Sequence, residues 1–341
     1  MPPPISRRSL LLAAGGTAIA PAAEIPPTLQ TPHKIGRLVV AASGKAGAFD
    51  EKAVDCPFVF RHNGRFHMTF IGFDGTGYLT GLASSANLIE WSPEGLIAAR
   101  DPGSDIRRHN VAINWIVREN DVFSAGNLRK IRGRYLGVYH AYPNPGYEEG
   151  PAVIGLCWSR DLHHWEFEPP ALRPEEGAPW ERGGLYKPCL VEQSGTFYLY
   201  YNAKKTGRPA DEQTGVATSR DLRVWTRYSG NPIIRNGSAG SLDERFASDP
   251  CVLRFGAQWA VFYYSLDAKG VARDRLALSS DMFHTEKCDG ALIDVGGPGS
   301  VDERYAHKPS VIRHAGVLYH FYCAVSKTNV RGISVAASRP L

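Results

Sequence analysis

Several signatures are missing from this chain. It has no Walker A loop, no G-x-G-x-x-G behind a strand pattern, no H-E-x-x-H and no C-x-x-C pair. The usual phosphate cradle, dinucleotide turn, zincin helix and paired-thiol site are therefore not expected. No run rich in Lys and Arg occurs, and a formal charge of +5 is mild for 341 residues. A nucleic-acid partner is not expected on that account. No apolar stretch of about 18 residues occurs either, so no helical membrane span is expected. The six cysteines show no zinc spacing.

Turn formers and aromatics are plentiful. The chain holds 35 Gly, 24 Pro, 15 Tyr and 7 Trp, a mixture that suits many turns between aromatic strands and predicts an all-β class. At 43% hydrophobic residues a full core can be buried, in one large domain or two ordinary ones. The N-terminus reads SRRSLLLAAGGTAIAPAA, with a twin-Arg pair, a short apolar run and an A-x-A-like triplet at Ala20-Pro21-Ala22. Residues 1–23 are expected to be a twin-arginine export leader, 24–44 a lead-in and 45–341 the working domain, with a periplasmic or extracellular location. A plain secretory leader or an N-terminal anchor are the other readings. Export permits disulfides. Yet Cys56, Cys189 and Cys251 each lie beside a Pro at what looks like one place in a repeat, which suggests small buried hydrophobes.

The repeat organises the whole chain. DERFASDP at Asp243 returns as DERYAHKP at Asp302, and WERGGLYKPC at Trp180 is a third copy. Each leads into two β-rich runs split by a Gly-containing turn, as in KPCLVEQSGTFYLYYNA from Lys187, which reads as a hairpin. DCPFVFRHNGRFHMTFIGFD, from Asp55, follows the same pattern. A second element recurs at Gly81, Gly155, Gly215, Arg275 and Gly332, at intervals of 74, 60, 60 and 57 residues. Five copies of this kind predict a five-bladed β-propeller of four-stranded antiparallel blades around a central channel. The least regular stretch, NVAINWIVRENDVFSAGNLRKIRGRYLGVYHAYP, is read as blade two with an insertion. Trp91, Trp165 and Trp225, closing the S-x-D/N-L elements, and the pairs Tyr200-Tyr201, Tyr263-Tyr264 and Phe321-Tyr322 are expected to pack between blades.

In such a fold the starts of the first strands converge on one axial funnel. Asp55, Lys187, Asp249 and Lys308 are expected there, with Asn114 or Asn127 as the blade-two equivalent. Glu181, Glu244 and Glu303 are placed on loops above the mouth, followed by Arg182, Arg245 and Arg304. An ion-pair lattice that merely holds the blades is one reading of these charges. The other is a polar ligand site with at least two carboxylates. Differences between copies are the better functional clue, which singles out Asp249 against Lys187 and Lys308, and His307 against Ser248 and Tyr186. A glycosidic bond is cut by an acid that protonates the leaving oxygen and a base or nucleophile, two groups whose pKa values must be pushed apart. His307 can supply the acid if a neighbour such as Glu303 raises its pKa. Lys187, Lys308, Arg245 and Arg304 favour ionised carboxylates and could grip an acidic or sulfated sugar. Tyr186, Phe246 and Tyr305 could stack on a sugar ring or simply pack the loops.

The five blades, the Asp opening the first inner strand and the repeated S-x-D-L-x-x-W closers resemble the five-bladed propeller glycoside hydrolases. These are families 43 and 32 and their relatives 117 and 130, and the resemblance covers residues 45–340. It implies a first-blade carboxylate as base or nucleophile, for which Asp55 is the match, a second Asp that sets orientation and pKa, and a general acid. The chain departs from families 43 and 32 in having Lys187 on blade three, Asp249 on blade four and no ECP- or EGP-like acid motif. It is similar to family 117 in the set Asp55, Asp249 and His307 with Glu303. The resemblance thus implies an inverting, exo-acting hydrolase of a plant or algal oligosaccharide, with Asp55 as base, Asp249 orienting, and His307 or Glu244 as acid. Lys187, Lys308, Glu303, Arg245, Arg304, Glu181, Tyr186 and Tyr305 are the expected substrate-binding residues. No cofactor or catalytic metal is implied, though a structural cation in the channel near His320 is allowed for. The alternatives are a family-130-like phosphorylase and a carbohydrate-binding propeller without activity.

Overall fold

The computed structural model describes residues 23–207 and 210–341; the candidate leader, but for its last residue, lies outside them. Two short strands come first, β1 (His33–Lys34) and β2 (Val40–Ala41). The strands that follow pair in five successive antiparallel groups. Group one is β3 (Ala53–His62), β4 (Arg65–Phe73), β5 (Tyr78–Ser85) and β6 (Ser92–Ala98). Group two is β7 (Ala112–Ile116), the two-residue β8 (Lys130–Ile131), β9 (Arg134–Ala141), β10 (Val153–Ser159) and β11 (Trp165–Leu172). Group three is β12 (Gly184–Gln193), β13 (Thr196–Lys204), β14 (Glu212–Ser219) and β15 (Thr226–Arg227). Group four is β16 (Phe246–Phe255), β17 (Gln258–Leu266), β18 (Ala272–Ser279) and β19 (Thr285–Lys287). Group five is β20 (Tyr305–His314), β21 (Val317–Val325) and β22 (Arg331–Ala337), and both β1 and β2 pair with β22. The fold is all-β, as its composition predicts. No helix among the described residues is long and apolar enough to cross a membrane.

The repeated spelling has a local cause in each case. The hairpins β3–β4, β12–β13 and β20–β21 turn through Asn63-Gly64, Ser194-Gly195 and Ala315-Gly316, all with positive φ, the conformation whose twist matches paired strands. In the S-x-D/N-L elements, Ser159 Oγ accepts the Leu162 N–H at 2.8 Å and Asp161 Oδ1 accepts those of His163 and His164 at 2.9 Å. Ser219 and Asp221 repeat this, and Trp165 Nε1 donates back to the Leu162 carbonyl at 2.9 Å. Gly81, Gly155 and Gly215 recur because a Cβ there would meet Phe49, Tyr139 and Trp180 within 2.8 Å. Trp91, Trp165 and Trp225 pack at the edges of the core. Trp91 meets Phe321 edge-on at 5.7 Å, joining group one to group five, and Tyr200 donates to the Met282 carbonyl, joining group three to group four.

In four of the five first strands, β3, β12, β16 and β20, the X-Pro step near the start is a β-bulge. The register shifts between Asp55 and Phe58, Tyr186 and Cys189, Ser248 and Cys251, and His307 and Ser310. Pro has no N–H for the ladder, and a bulge is where a strand tolerates it. The residue before the Pro is left-handed in every case: Cys56 at φ 51, Lys187 at 48, Asp249 at 54 and Lys308 at 69. This corrects the alignment read from charge. Cys56, not Asp55, is equivalent to Lys187, Asp249 and Lys308, while Asp55 shares its place with Tyr186, Ser248 and His307. Cys56 likewise precedes its Pro whereas Cys189 and Cys251 follow theirs; all six cysteines are free and buried.

The same counting shifts the acidic repeat. Glu181 is equivalent to Asp243 and Asp302, not to Glu244 and Glu303. Each of these three buried acids accepts a tyrosine hydroxyl, from Tyr201 at 2.7 Å, Tyr263 at 3.1 Å and Tyr322 at 2.9 Å. Each also meets cations: Arg227 on Glu181, Arg275 and Lys287 on Asp243, and Lys34 on Asp302. They tie the loops to the sheets. Burial opposes the charge of Asp243, but Lys287 and Arg275 outweigh it and hold its carboxyl below the ordinary value. Asp243→Asn is therefore expected to lower stability by about 1–3 kcal/mol in urea titration at neutral pH. That difference should be complete above about pH 4 and shrink as pH falls through the lower folded value; a gap that widens in acid would contradict this role.

Candidate active site

The bulges do more than house prolines. By turning the residue before each Pro inward, they bring Lys187, Asp249 and Lys308 to the wall of one pit of about 180 Å³. Tyr186 and His307, one place upstream, line it too. Two further sets of equivalent positions complete the wall. From the second strands come Ile71, His140 and Tyr264, in register with Asn202 and Cys323. From the openings of the third strands come Glu212 and Arg331, equivalent to Tyr78, Ala152 and Ala272. Tyr147 and Glu148 reach in from the loop between β9 and β10.

Asp55 lies against the pit and is fully engaged. Its Oδ2 accepts from Lys308 Nζ at 2.9 Å, Arg331 at 2.7 Å and Tyr147 OH at 2.6 Å, and its Oδ1 accepts the Cys56 N–H at 2.7 Å. Burial works against its charge, but Lys308 and Arg331 hold the carboxyl well below the usual range. Glu212 and Asp249 behave in the opposite way. Asn202 Nδ2 donates to both, at 3.2 Å to Glu212 Oε2 and 2.9 Å to Asp249 Oδ1. Tyr186 OH donates to Glu212 Oε1 at 2.5 Å and Ser248 Oγ to Oε2 at 3.1 Å. Burial, with the charges of Glu148 and Asp249, pushes Glu212 up to about 7. Burial likewise pushes Asp249 up to about 6, against the pull of Lys308 and Lys187. Like charges sharing one site cannot all ionise at once, so the pit holds protonated and ionised carboxyls side by side near neutral pH.

An outer cleft of about 1070 Å³ adjoins the pit. The two share Tyr147, Glu148, Glu212 and Phe246. Glu148 keeps 31% of its side chain exposed, with Lys308 Nζ 3.4 Å away, and Tyr78 OH also lies at 3.4 Å. One accessible carboxyl group and one buried, proton-holding carboxyl thus flank the opening between a smaller, more enclosed space and a larger, more open one.

Of the residues expected from the sequence, Lys187, Asp249, His307, Lys308, Tyr186 and Tyr305 meet at the pit, with Asp55 just behind it. Arg245 lies on the outer cleft. Glu244 and Glu303 are not brought in: each accepts an N–H of its own loop, from Gly240 at 2.7 Å and Gly299 at 2.8 Å. Glu181 is held in the scaffold, and Arg304 lies over Tyr305 at 4.9 Å on the surface. The expected pull of Glu303 on His307 is absent. Burial and Lys308 push His307 down to about 3, and its Nδ1 lies 3.1 Å from the Cys323 carbonyl. Asn114 pairs with His140, at 2.5 Å. His320 is buried on Asp274 at 2.9 Å, and among the described residues no group of three or more His, Cys, Asp or Glu is placed to hold a metal ion. Glu148, Glu212, Tyr147 and Arg331 went unread in the sequence. The signal for Glu212 and Arg331 was available as a difference between copies, but at the third strand rather than the first.

Residues 126–286 match the family model described as "Glycosyl hydrolases family 32 N-terminal domain". The chain is 31% identical over 160 residues to levanase of Bacillus subtilis, covering 42% of this chain and 21% of the levanase. It is 26% identical over 157 residues to 1,2-beta-oligomannan phosphorylase of Thermoanaerobacter, covering 45% and 43%. A solved structure described as "Glycoside hydrolase" superposes with a TM-score of 0.78 at 27% identity, covering 92% of this chain and 93% of that one. The chain spans about half or less of the curated relatives it matches. Part of the chain is thus similar to family 32, and its fold is shared with solved glycoside hydrolases.

Removing the charge at Asp55 takes the shortest ion-pair partner from buried Lys308 and the ion-pair partner from part-buried Arg331. Asp55→Asn is expected to cost about 2–4 kcal/mol in urea titration at neutral pH, because Lys308 is left with Glu148 alone and Arg331 loses its carboxylate. Unchanged stability would show that Lys308 and Arg331 do not depend on it.

Proposed function

We propose that the protein is a glycosidase that removes one terminal sugar from an oligosaccharide, and that its five strand groups are the blades of a closed propeller. The observation that carries this is the position of Glu148 and Glu212 at the opening between pit and cleft. A space of about 180 Å³ suits a single sugar ring, and the cleft suits the remainder of the chain. The bond to be cut then lies between the two carboxyls, where hydrolysis needs them. The pit is the smaller and more enclosed of the two spaces, which favours exo-action.

Glu212 is the proton donor in this reading. Pushed up to about 7, it still holds its proton near neutral pH and can release it to the leaving oxygen. Glu148, across the opening from Glu212, acts on water at the ring face away from the leaving oxygen, with inversion as the expected stereochemical course. Asp249 keeps the role expected of it: its charge raises Glu212, and Asn202 holds the two in fixed geometry. Asp55 serves as a fixed anion that positions Lys308, Arg331 and Tyr147. His307, neutral at working pH, donates Nδ1–H to the Cys323 carbonyl and leaves Nε2 to accept a sugar hydroxyl. Sugar selectivity follows from these donors and acceptors together with the rings of Tyr186, Tyr264 and Tyr305.

Glu212→Gln is expected to lower kcat by about 10²–10⁴-fold, and less on substrates whose leaving group needs no proton. In the unaltered protein kcat/KM should fall as pH rises through about 7, when Glu212 loses its proton. That limb should vanish in the variant. A variant that keeps the alkaline limb would remove Glu212 from the acid role, and sugar binding with no released reducing ends would point to a binding protein instead.

The likeness to an oligomannan phosphorylase favours one second reading, in which phosphate attacks in place of water. Turnover is expected to persist when phosphate is rigorously removed. Strict dependence on phosphate, with a sugar phosphate as product, would establish the phosphorylase reading.

A further inference from the structure

We propose that the pit selects a terminal sugar bearing a carboxylate, gripped by Lys187 Nζ and Tyr142 OH. The inference rests on the glycosidase reading of the pit and adds the substrate class.

The three cations of the pit wall are not alike. Lys308 and Arg331 both end on Asp55. Lys187, only 6% exposed, has no hydrogen bond or ion pair from its ammonium among the described residues. Asp249 feels its charge but stands beyond ion-pair distance. His140, which accepts the Lys187 N–H at 3.3 Å, is held uncharged by burial and by Lys187 itself. A buried ammonium without a partner is costly. Its backbone is also in a sparsely populated region, φ 48, and such strain persists where surrounding structure fixes it for use. Of the four equivalent bulge positions, two hold a charge with a protein partner, Lys308 with Asp55 and Asp249 with Asn202, and one holds the uncharged Cys56.

A second unpartnered donor stands on the same wall. Tyr142 OH is buried and has no hydrogen-bond partner, although its ring lines the pit. The ring lies 5.8 Å from that of Tyr186, the residue before Lys187, and 5.4 Å from His140. One ammonium and one phenol hydroxyl match the two oxygens of one carboxylate. Phosphate or sulfate esters with two charges or three acceptor oxygens match this set less well, because the other cations are already taken. Lys187 does not line the outer cleft, so the carboxylate belongs to the ring inside the pit, as in a uronic acid, rather than to a later sugar.

The test is calorimetric titration of the full chain with galacturonate against galactose, and glucuronate against glucose. At least one uronate should bind about tenfold or more tightly than its neutral parent, the scale of a hydrogen-bonded charge. Lys187→Asn, chosen because Asn tolerates positive φ, should abolish that preference. Tyr142→Phe, which removes a single oxygen, should reduce it several-fold and decides the matter if the first variant does not fold. The inference is overturned if the unaltered protein shows no preference for either uronate, or binds neither. It is also overturned if the preference survives Tyr142→Phe in full, or if inorganic phosphate displaces the uronate at lower concentration than the neutral sugar does. Hydrolysis of neutral glycosides without any uronate preference would sink this proposal and leave the glycosidase reading intact. A Lys187-dependent uronate preference with no hydrolysis of any glycoside would do the reverse.

Discussion

A proline cannot donate to a strand ladder, and much of this site follows from that one restriction. Four first strands each accept a proline by bulging, and the bulge forces the preceding residue into the left-handed region. An ordinary strand would send alternate side chains to opposite faces. Here the bulge places two consecutive residues, Tyr186 with Lys187 and His307 with Lys308, at the same pit. The strain at φ near +50 to +70 is therefore part of how the site is built rather than incidental to it.

Charge in the pit is arranged by pairing rather than by number. Asp55 absorbs Lys308 and Arg331 and stays ionised, whereas Glu212 and Asp249 receive mainly neutral donors and hold their protons to higher pH, Glu212 to about 7 and Asp249 to about 6. The same residue type thus takes opposite protonation states within one small space, the condition for acid and base chemistry at one pH. Asn202 is the hinge of this arrangement. Its amide cannot titrate, yet it touches both raised carboxyls and so links their proton affinities.

The strand groups were legible in the sequence because their turns, closers and prolines are chemically similar from copy to copy. The site was only partly legible. Lys187, Asp249, His307 and Lys308 could be read because they sit beside those prolines. Asp55 was placed one position out of step, since its charge was matched to Asp249 while the bulge aligns Cys56 there. Glu244 and Glu303 attracted notice as repeated charges, but the residues just before them, Asp243 and Asp302, hold the structure, and the glutamates only cap loops. Glu212 and Arg331 were hidden for the opposite reason. Tyr78, Ala152, Glu212, Ala272 and Arg331 share a position and no chemistry, so no spelling marks them as equivalent. Glu148 sits in YPNPGYEEG, within the group whose opening strand is broken by an insertion, where no register could be carried over.

The pairing of β1 and β2 with β22 has a consequence for how the molecule is made. Residues near position 35 are synthesised well before those near 335, yet they share a sheet, and Lys34 reaches Asp302 across the same seam. The residues of β1 and β2 must therefore wait, unpaired, until β22 has been made. These contacts of very long sequence separation are slow to form. The seam between these strands is accordingly expected to be a late part of the sheet to assemble, which makes closure of the sheet depend on its most distant pairings.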